Sequence, residues 1–292
     1  MALARGPYSQ SIHGYRKIKK IGKGGFGTVY LVTKGGQRYA LKEIVQEAES
    51  EKEVQILKNL KHVNIVSYIE SFPGGLNKLY IVMEYCEMGN LRELIISKDP
   101  IGVEERFIVG IMTQVCRGMK YIHRKKVIHR DIKPPNVLAT SRGDFKVGDF
   151  GLSKVLQSGG YTKTRCGTHG YISPECLAGL PYTFSSDMWA VGKVLSDLCS
   201  YKGKQDYSND LRALNQNLLS REPRKRPTAD EALSMLSNVN SASKGRHLSR
   251  VASPKGYPKY LRALLGKLQT DPSYQPTTDD IRTVFLNLNI QA

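Results

Sequence analysis

With 292 residues, 40% of them hydrophobic and 24% charged, the chain has the ordinary makeup of a globular protein and enough length for one large domain or two smaller ones. Five scattered cysteines (Cys86, Cys116, Cys166, Cys176, Cys199) argue against a disulfide framework and a zinc site, and no apolar run is long enough to span a bilayer. The net charge of +18 suits acidic partners, nucleic acid or an anionic membrane, but equally describes a basic surface whose cations face phosphates or keep the protein soluble; no base-reading motif is present, which makes nucleic acid the lesser reading.

Residues 1–14 read as an N-terminal extension. Met1 to Gln10 lacks the apolar core of a secretory leader, and the expected location is cytoplasmic or nuclear. From Tyr15 to Glu43 the pattern predicts strands, in KIKKIG, GTVYLVT and QRYALKEI, with a hairpin at Gly35-Gly36. Glu47 to Leu60 reads as a helix with Val54, Leu57 and Leu60 on one face. Two more strands follow, around Ile65 to Phe72 and Leu79 to Tyr85, joined by a Pro73-Gly74-Gly75 turn. Beyond Asn90 the signals are helical, in LRELIIS and from Glu104 to His123, broken by short strands in VLAT and FKVGDF. The fold class is therefore α+β, with a β-rich lobe and an α-rich lobe meeting near Glu84 to Gly89. After Leu236 the composition shifts. Residues 238–257 read as linker or disorder, followed by a short helix at Pro258 to Leu268 and an apolar piece, IRTVFLNLNI.

The chemistry begins at Gly22-Lys23-Gly24-Gly25-Phe26-Gly27. Glycines at this spacing let backbone approach a polyphosphate because no Cβ intrudes. The spacing also occurs in dinucleotide sites and plain hairpins, but a dinucleotide site needs the glycines to open a helix, and here TVYLVT continues as strand. Lys42 lies in an apolar strand, where a lysine is costly to bury unless it meets anions. Glu53 on the next helix is a natural partner; a lysine at a strand edge is the plainer alternative. The segment Val127 to Leu138 then places Asp131, Lys133 and Asn136 in one proline-stiffened loop. Phosphoryl transfer needs a carboxylate for the hydroxyl proton, a cation near the transferred group and an oxygen ligand for Mg²⁺, and these three residues supply them. Asp149, in Asp149-Phe150-Gly151, adds a second carboxylate suited to a hard cation.

In this order the glycine loop, the strand lysine, HRD, DFG and Ser173-Pro174-Glu175 resemble the motif set of eukaryotic protein kinases. YALKEI, KHVNIVSYIESF and LYIVMEYCEMGNL are similar to the NIMA-related serine/threonine branch. The resemblance covers residues 15–236 and implies a bilobal kinase domain, with lobes at 15–85 and 86–236 and a basic tail, partly disordered, over 237–292. It implies protein substrates, with ATP and Mg²⁺ as cofactors. Asp131 would be the catalytic base, Lys133 would steady the γ-phosphate, Asn136 and Asp149 would hold Mg²⁺, and Lys42 with Glu53 would fix the phosphate tail. Ile21, Gly22, Gly24, Gly27, Val29, Ala40 and Leu138 would enclose the nucleotide, with Met83 as gatekeeper and Glu84 to Cys86 as the hinge. Lysine at position 133 is the serine/threonine form of the loop. Leu57, Tyr68, His129 and Phe150 match a stacked spine, for which core packing is also the plain reading. Asp187 would anchor the catalytic loop, Glu175 and Arg226 would brace the second lobe, and Thr168 would hydrogen-bond Asp131.

The loop from Ser153 to Cys166 is expected to be switched by phosphorylation, with Thr164 leading over Thr162 and Tyr161, and with Arg130 receiving the phosphate. Ser249 and Ser253 each follow an arginine by three residues, as basophilic kinases favour. The chain departs from the family between Val191 and Arg224, where little is left for a helix that docks substrates, and at His169, where many relatives carry proline. Two other readings stand beside the kinase. A catalytically dead scaffold is opposed by intact Lys42, Asp131, Asn136 and Asp149. A basic docking module would hold an acidic or phosphate-bearing partner through Lys244, Arg246, Arg250, Lys255, Lys259 and Arg262.

Overall fold

The computed structural model describes residues 11–25, 27–75, 77–96, 105–156, 167–200 and 207–243. Six antiparallel strands form the first lobe: β1 (Ser11–Ile12), β2 (Tyr15–Gly24), β3 (Gly27–Lys34), β4 (Gln37–Val45), β5 (Tyr68–Gly74) and β6 (Lys78–Glu84), in the order β1-β2-β3-β4-β6-β5. Lys34 pairs with Gln37, so Gly35 and Gly36 make a two-residue hairpin with both φ angles positive, at 58° and 80°. Turns of this kind match strand twist and favour glycine. Gly27 is constrained more tightly. Its φ is 123°, and a Cβ there would sit 2.2 Å from the Glu43 carbonyl oxygen, so β3 and β4 close up only over glycine.

The expected turn at Pro73-Gly74-Gly75 falls later. Pro73 and Gly74 pair with Leu79 and Lys78 inside the ladder, so the reversal lies beyond Gly74, with Asn77 at a φ of 57°. Pro73 is tolerated because β5 is an edge strand, where a missing N–H need not cost a ladder bond. Helix α1 (Ala48–Lys58) follows β4 and buries Val54, Ile56 and Leu57.

The second lobe is helical: α2 (Leu91–Ile96), α3 (Glu105–Arg124), α4 (Pro174–Leu177), α5 (Phe184–Ser200), α6 (Asn209–Leu218) and α7 (Ala229–Ser243). Short strands β7 (Val127–Ile128), β8 (Val137–Ala139), β9 (Phe145–Val147) and β10 (Lys154–Val155) pair as β7 with β10 and β8 with β9. Ile108, Met112, Val115, Met119 and Ile122 recur at helical spacing and bury one face of α3. Helix α5 buries residues on most of its circumference and is the core helix of the lobe. Only residues 201–208 separate α5 from α6, and Ser196 and Asn215 hydrogen-bond across the two helices, which gives the shortened second half its form. Among the described residues no helix is long and apolar enough to cross a membrane.

Arg226 meets Glu175 through two bonds of 2.7 Å. It also donates to the carbonyls of Ser185 and Ser220 and lies over the Trp189 ring. Such a saturated fork is the geometry in which a buried ion pair holds.

The linker expected from residue 238 does not begin there, because α7 continues to Ser243. Ala229, Ala232, Leu236 and Val239 form a buried stripe, and α7 packs along α3. Serine and asparagine on the other positions concealed that stripe in the sequence. Thr228 and Glu231 cap the start reciprocally. Since Val239 is fully buried, Val239→Ala should cost about 1–2 kcal/mol in urea unfolding; a linker residue would show no change.

Candidate active site

One buried carboxylate shapes the loop between β7 and β8. Asp187, 0% exposed on α5, accepts the His129 and Arg130 backbone N–H groups at 2.9 Å each and contacts His123 Nε2 at 3.0 Å. Those bonds hold Arg130 in the left-handed region, at a φ of 67°, a strain that non-glycine residues accept only where surroundings enforce it. The His129 ring is fixed as well. Its Nδ1 accepts the Asp131 N–H, so Nε2 carries the proton and donates to the Gly148 carbonyl at 3.0 Å. Burial lowers the His129 pKa and keeps this ring neutral, its centroid 4.9 Å from the Phe150 ring at a tilt of 59°.

The loop then gathers donors on Asp131, which is 4% exposed. Thr168 donates to Oδ1 at 2.6 Å, Asn136 Nδ2 donates to Oδ2 at 3.0 Å, and Lys133 Nζ lies 2.8 Å from Oδ2. Lys133 also donates to the Thr168 hydroxyl at 2.6 Å, closing a three-membered cycle. Because Asn136 spends its nitrogen on Asp131, its amide oxygen remains as a ligand for a hard cation.

The second cluster joins the lobes. Lys42 Nζ lies 2.7 Å from Glu53 Oε1 and 2.9 Å from Asp149 Oδ1. Burial alone would lower the lysine pKa, but Asp149 and Glu53 outweigh it and keep the ammonium charged. Burial would also raise Asp149, which Lys42 overrides and holds ionised below the usual carboxylate range. Glu53 lies deeper than Asp149, and there burial prevails and raises the carboxyl. Asp149 stands at a φ of 57°, the second strained non-glycine residue of the site.

The positions expected to enclose a nucleotide surround one face of the sheet. Ala40 pairs with Met83, and Lys42 with Val29, across adjacent strands. Val29, Ala40, Met83 and Leu138 are half-buried, while Leu41, Val82, Val137 and Ala139 beside them are fully buried, so the former set faces a cleft. Ile21 is exposed above it, and a Cβ at Gly24 or Gly25 would meet nothing within 4 Å. Gly22 meets only the Val29 side chain, at ordinary contact distance. The Cys86 N–H has no backbone partner among the described residues, and the Cys86 thiol is pushed up to about 12 by burial. The Glu84 side chain turns away to Lys146, at 3.0 Å, and to the Ser67 N–H, at 2.6 Å. A free hinge donor, open space over two glycines, a paired lysine and two oxygen ligands fit a nucleotide with a divalent ion.

Thr164, Thr162, Tyr161, Phe26, Cys166, Ser249, Ser253 and the tail cations lie outside the described residues. His169 is exposed beside Thr168. Sequence reasoning did not find His123, which shares Asp187, or Lys146, a buried lysine in the apolar strand FKV that obeys the same argument as Lys42.

Asp187→Ala leaves two backbone donors buried without partners and should cost roughly 2–5 kcal/mol in urea unfolding. Burial raises the Asp187 pKa, but the His123 hydrogen bond and the surrounding donors outweigh it, and the net direction is down. Its contribution is therefore present above the unfolded carboxylate pKa and lost as pH falls through the folded one. The stability gap between wild type and Asp187→Asn should shrink from pH 6 to pH 3.

Residues 15–202 match the family model described as the protein kinase domain. The chain is 38% identical over 251 residues to serine/threonine-protein kinase Nek1 of Mus musculus, covering 75% of this chain and 21% of that protein. It is 36% identical to Nek3 of the same species, covering 75% and 48%, and 32% identical to Nek2, covering 86% and 66%. The chain thus spans between about a fifth and two-thirds of these relatives' lengths. With its bilobal α+β fold and its site assembled in the order of the sequence motifs, the chain belongs to the protein kinase family, within the NIMA-related serine/threonine group.

Proposed function

We propose that the chain transfers the γ-phosphoryl group of ATP to serine and threonine hydroxyls of proteins. The observation that carries this reading is Lys42 held between Glu53 and Asp149, because it brings the phosphate-binding lysine to the carboxylate that would hold the metal. Lys42 would bind the α- and β-phosphates, and Asn136 and Asp149 would hold Mg²⁺. The ion, when bound, neutralises charge on the β- and γ-phosphate oxygens. Asp131 would orient the substrate hydroxyl and take its proton while the hydroxyl oxygen bonds to the γ-phosphorus and the bond to the ADP oxygen breaks. Lys133, a fifth exposed at its side chain, would steady the transferred group. Val29, Ala40 and Leu138 would enclose the base, with Met83 behind it, Ile21, Gly22, Gly24 and Gly27 above, and the backbone from Glu84 to Cys86 as hydrogen-bonding edge. A dead scaffold finds no support, since the four positions it would lose are intact and bonded in two pairs, Lys42 with Asp149 and Asn136 with Asp131.

Incubation with Mg²⁺, labelled ATP and generic basic proteins should yield phosphoserine and phosphothreonine. Asp131→Asn and Asp149→Ala should each lower the rate by about 10³-fold or more. Equal rates for wild type and both variants would refute the assignment.

The finer part of the proposal is control by phosphorylation at Thr164. Arg130 supports it. Its Nε is spent on the Leu152 carbonyl at 2.5 Å, while Nη1 is buried without a partner among the described residues. A buried guanidinium nitrogen lacking an acceptor is costly, and a phosphate is the acceptor its fork geometry suits. Thr168 would define the adjoining end of the substrate groove. After phosphatase treatment and ATP incubation, Thr164→Ala should regain less than about a tenth of wild-type activity; full recovery would remove this part. Cytoplasmic or nuclear residence belongs to the same proposal, supported by the four free cysteines among the described residues, three of them buried. So does a docking role for the basic tail, whose binding to acidic or phosphate-bearing partners would weaken as salt rises.

A further inference from the structure

A cavity of about 730 Å³ opens between the C-terminal end of α1, the segment leading into β5, and β9, and apart from Lys146, which holds Glu84, no residue of the candidate active site lines it. Its floor is apolar, formed in part by Leu57 and Leu60. Its rim exposes Val63 and Ile69 at 57% and 44%, beside the Tyr68 ring. Three lysines line it, Lys58, Lys61 and Lys146, and no acidic residue does. Lys146 is neutralised by Glu84. Lys58 and Lys61 are exposed, and neither has a carboxylate within 4.0 Å among the described residues. Lys58 stands 5.8 Å over the Tyr68 ring. The neighbouring acid Glu70 is committed to Tyr15 and Lys34. His62 lines the same cavity, stacked on Tyr121 at 4.9 Å, and its pKa is lowered first by burial and then by the cations of Arg117 and Lys146.

Lys58 has a mundane reason to be where it is, since a cation suits the C-terminal end of a helix. That reason does not extend to Lys61 beyond the helix, or to two bared aliphatic side chains next to it. Exposed apolar groups rimmed by like charges are the makings of a recognition surface.

We propose that this cavity docks an acidic peptide segment of another protein, with its carboxylates on Lys58 and Lys61 and an apolar side chain against Val63 and Ile69. The basic stretch of the chain's own tail is a poor occupant, because Lys244, Arg246, Arg250 and Lys255 give it the same sign of charge as the rim.

The test is a selection of displayed random peptides on the full chain, with affinities then measured by fluorescence anisotropy. Selected peptides should carry Asp or Glu around an apolar residue. They should bind the Lys58→Glu/Lys61→Glu variant about tenfold more weakly and lose affinity with salt. Val63→Ser should weaken them several-fold. All three substituted side chains are exposed, so thermal melts should fall by no more than a few degrees, the part owed to reversing the charge at the end of α1. Neutral or basic selected peptides, or affinities indifferent to these substitutions, would overturn the proposal. So would charge-dependent binding of phosphatidylserine vesicles without peptide binding, or self-association of the chain abolished by the same double variant.

Discussion

A single ammonium carries the order of the molecule. Lys42 on β4, Glu53 on α1 and Asp149 after β9 come from three distant stretches of chain, and one Nζ atom within 3 Å of both carboxylates fixes how a helix, a sheet and a helical lobe meet. Two negative charges would repel at that spacing, and a lone buried lysine would shed its proton. Only the triad satisfies all three groups. Deleting one member of such a set costs about 3–5 kcal/mol because the remainder is left uncompensated. The two carboxylates are not equivalent, however. Asp149 is a third exposed at its side chain and Glu53 only 5%, so Asp149 is the one open to a further cation.

The second lobe answers with a different device. Where the first lobe uses charge between side chains, Asp187 uses charge on backbone, taking two consecutive N–H groups and forcing Arg130 into a conformation it would not hold alone. The strain presents Asp131 toward its three donors, and the neutral His129 ring ties the same turn to Gly148, just ahead of Asp149. The two anchoring systems meet at that point in the chain. Loop shape and the position of the Asp149 carboxylate are therefore set by one connected network of bonds.

Much of this was legible in the residues. Apolar alternation gave the strands of the first lobe, helical periodicity gave α3, and the spacing of Asp131, Lys133 and Asn136 announced a loop in which those groups converge. What escaped had physical reasons. Pro73 looks like a turn residue, but an edge strand forgives its missing donor. The last turns of α7 hide Leu236 and Val239 among serines and asparagines whose composition reads as linker. Gly27 reads as a phosphate-approach glycine, and its sharpest demand comes instead from the Glu43 carbonyl across the sheet. Lys146 and His123 belong to long-range pairs, and a partner far away in sequence leaves no local trace.

The hinge carries one further consequence. Cys86 sits where a bound base would lie against backbone, yet burial and the nearby acidic side chains hold its sulfur in the protonated form. A thiol in that state is a poor nucleophile. Oxidants and soft electrophiles in bulk solution would pass it by, so the cleft can keep a cysteine at its mouth without becoming sensitive to redox conditions. An alkylating molecule would react there only after being held in place long enough for the rare thiolate to form.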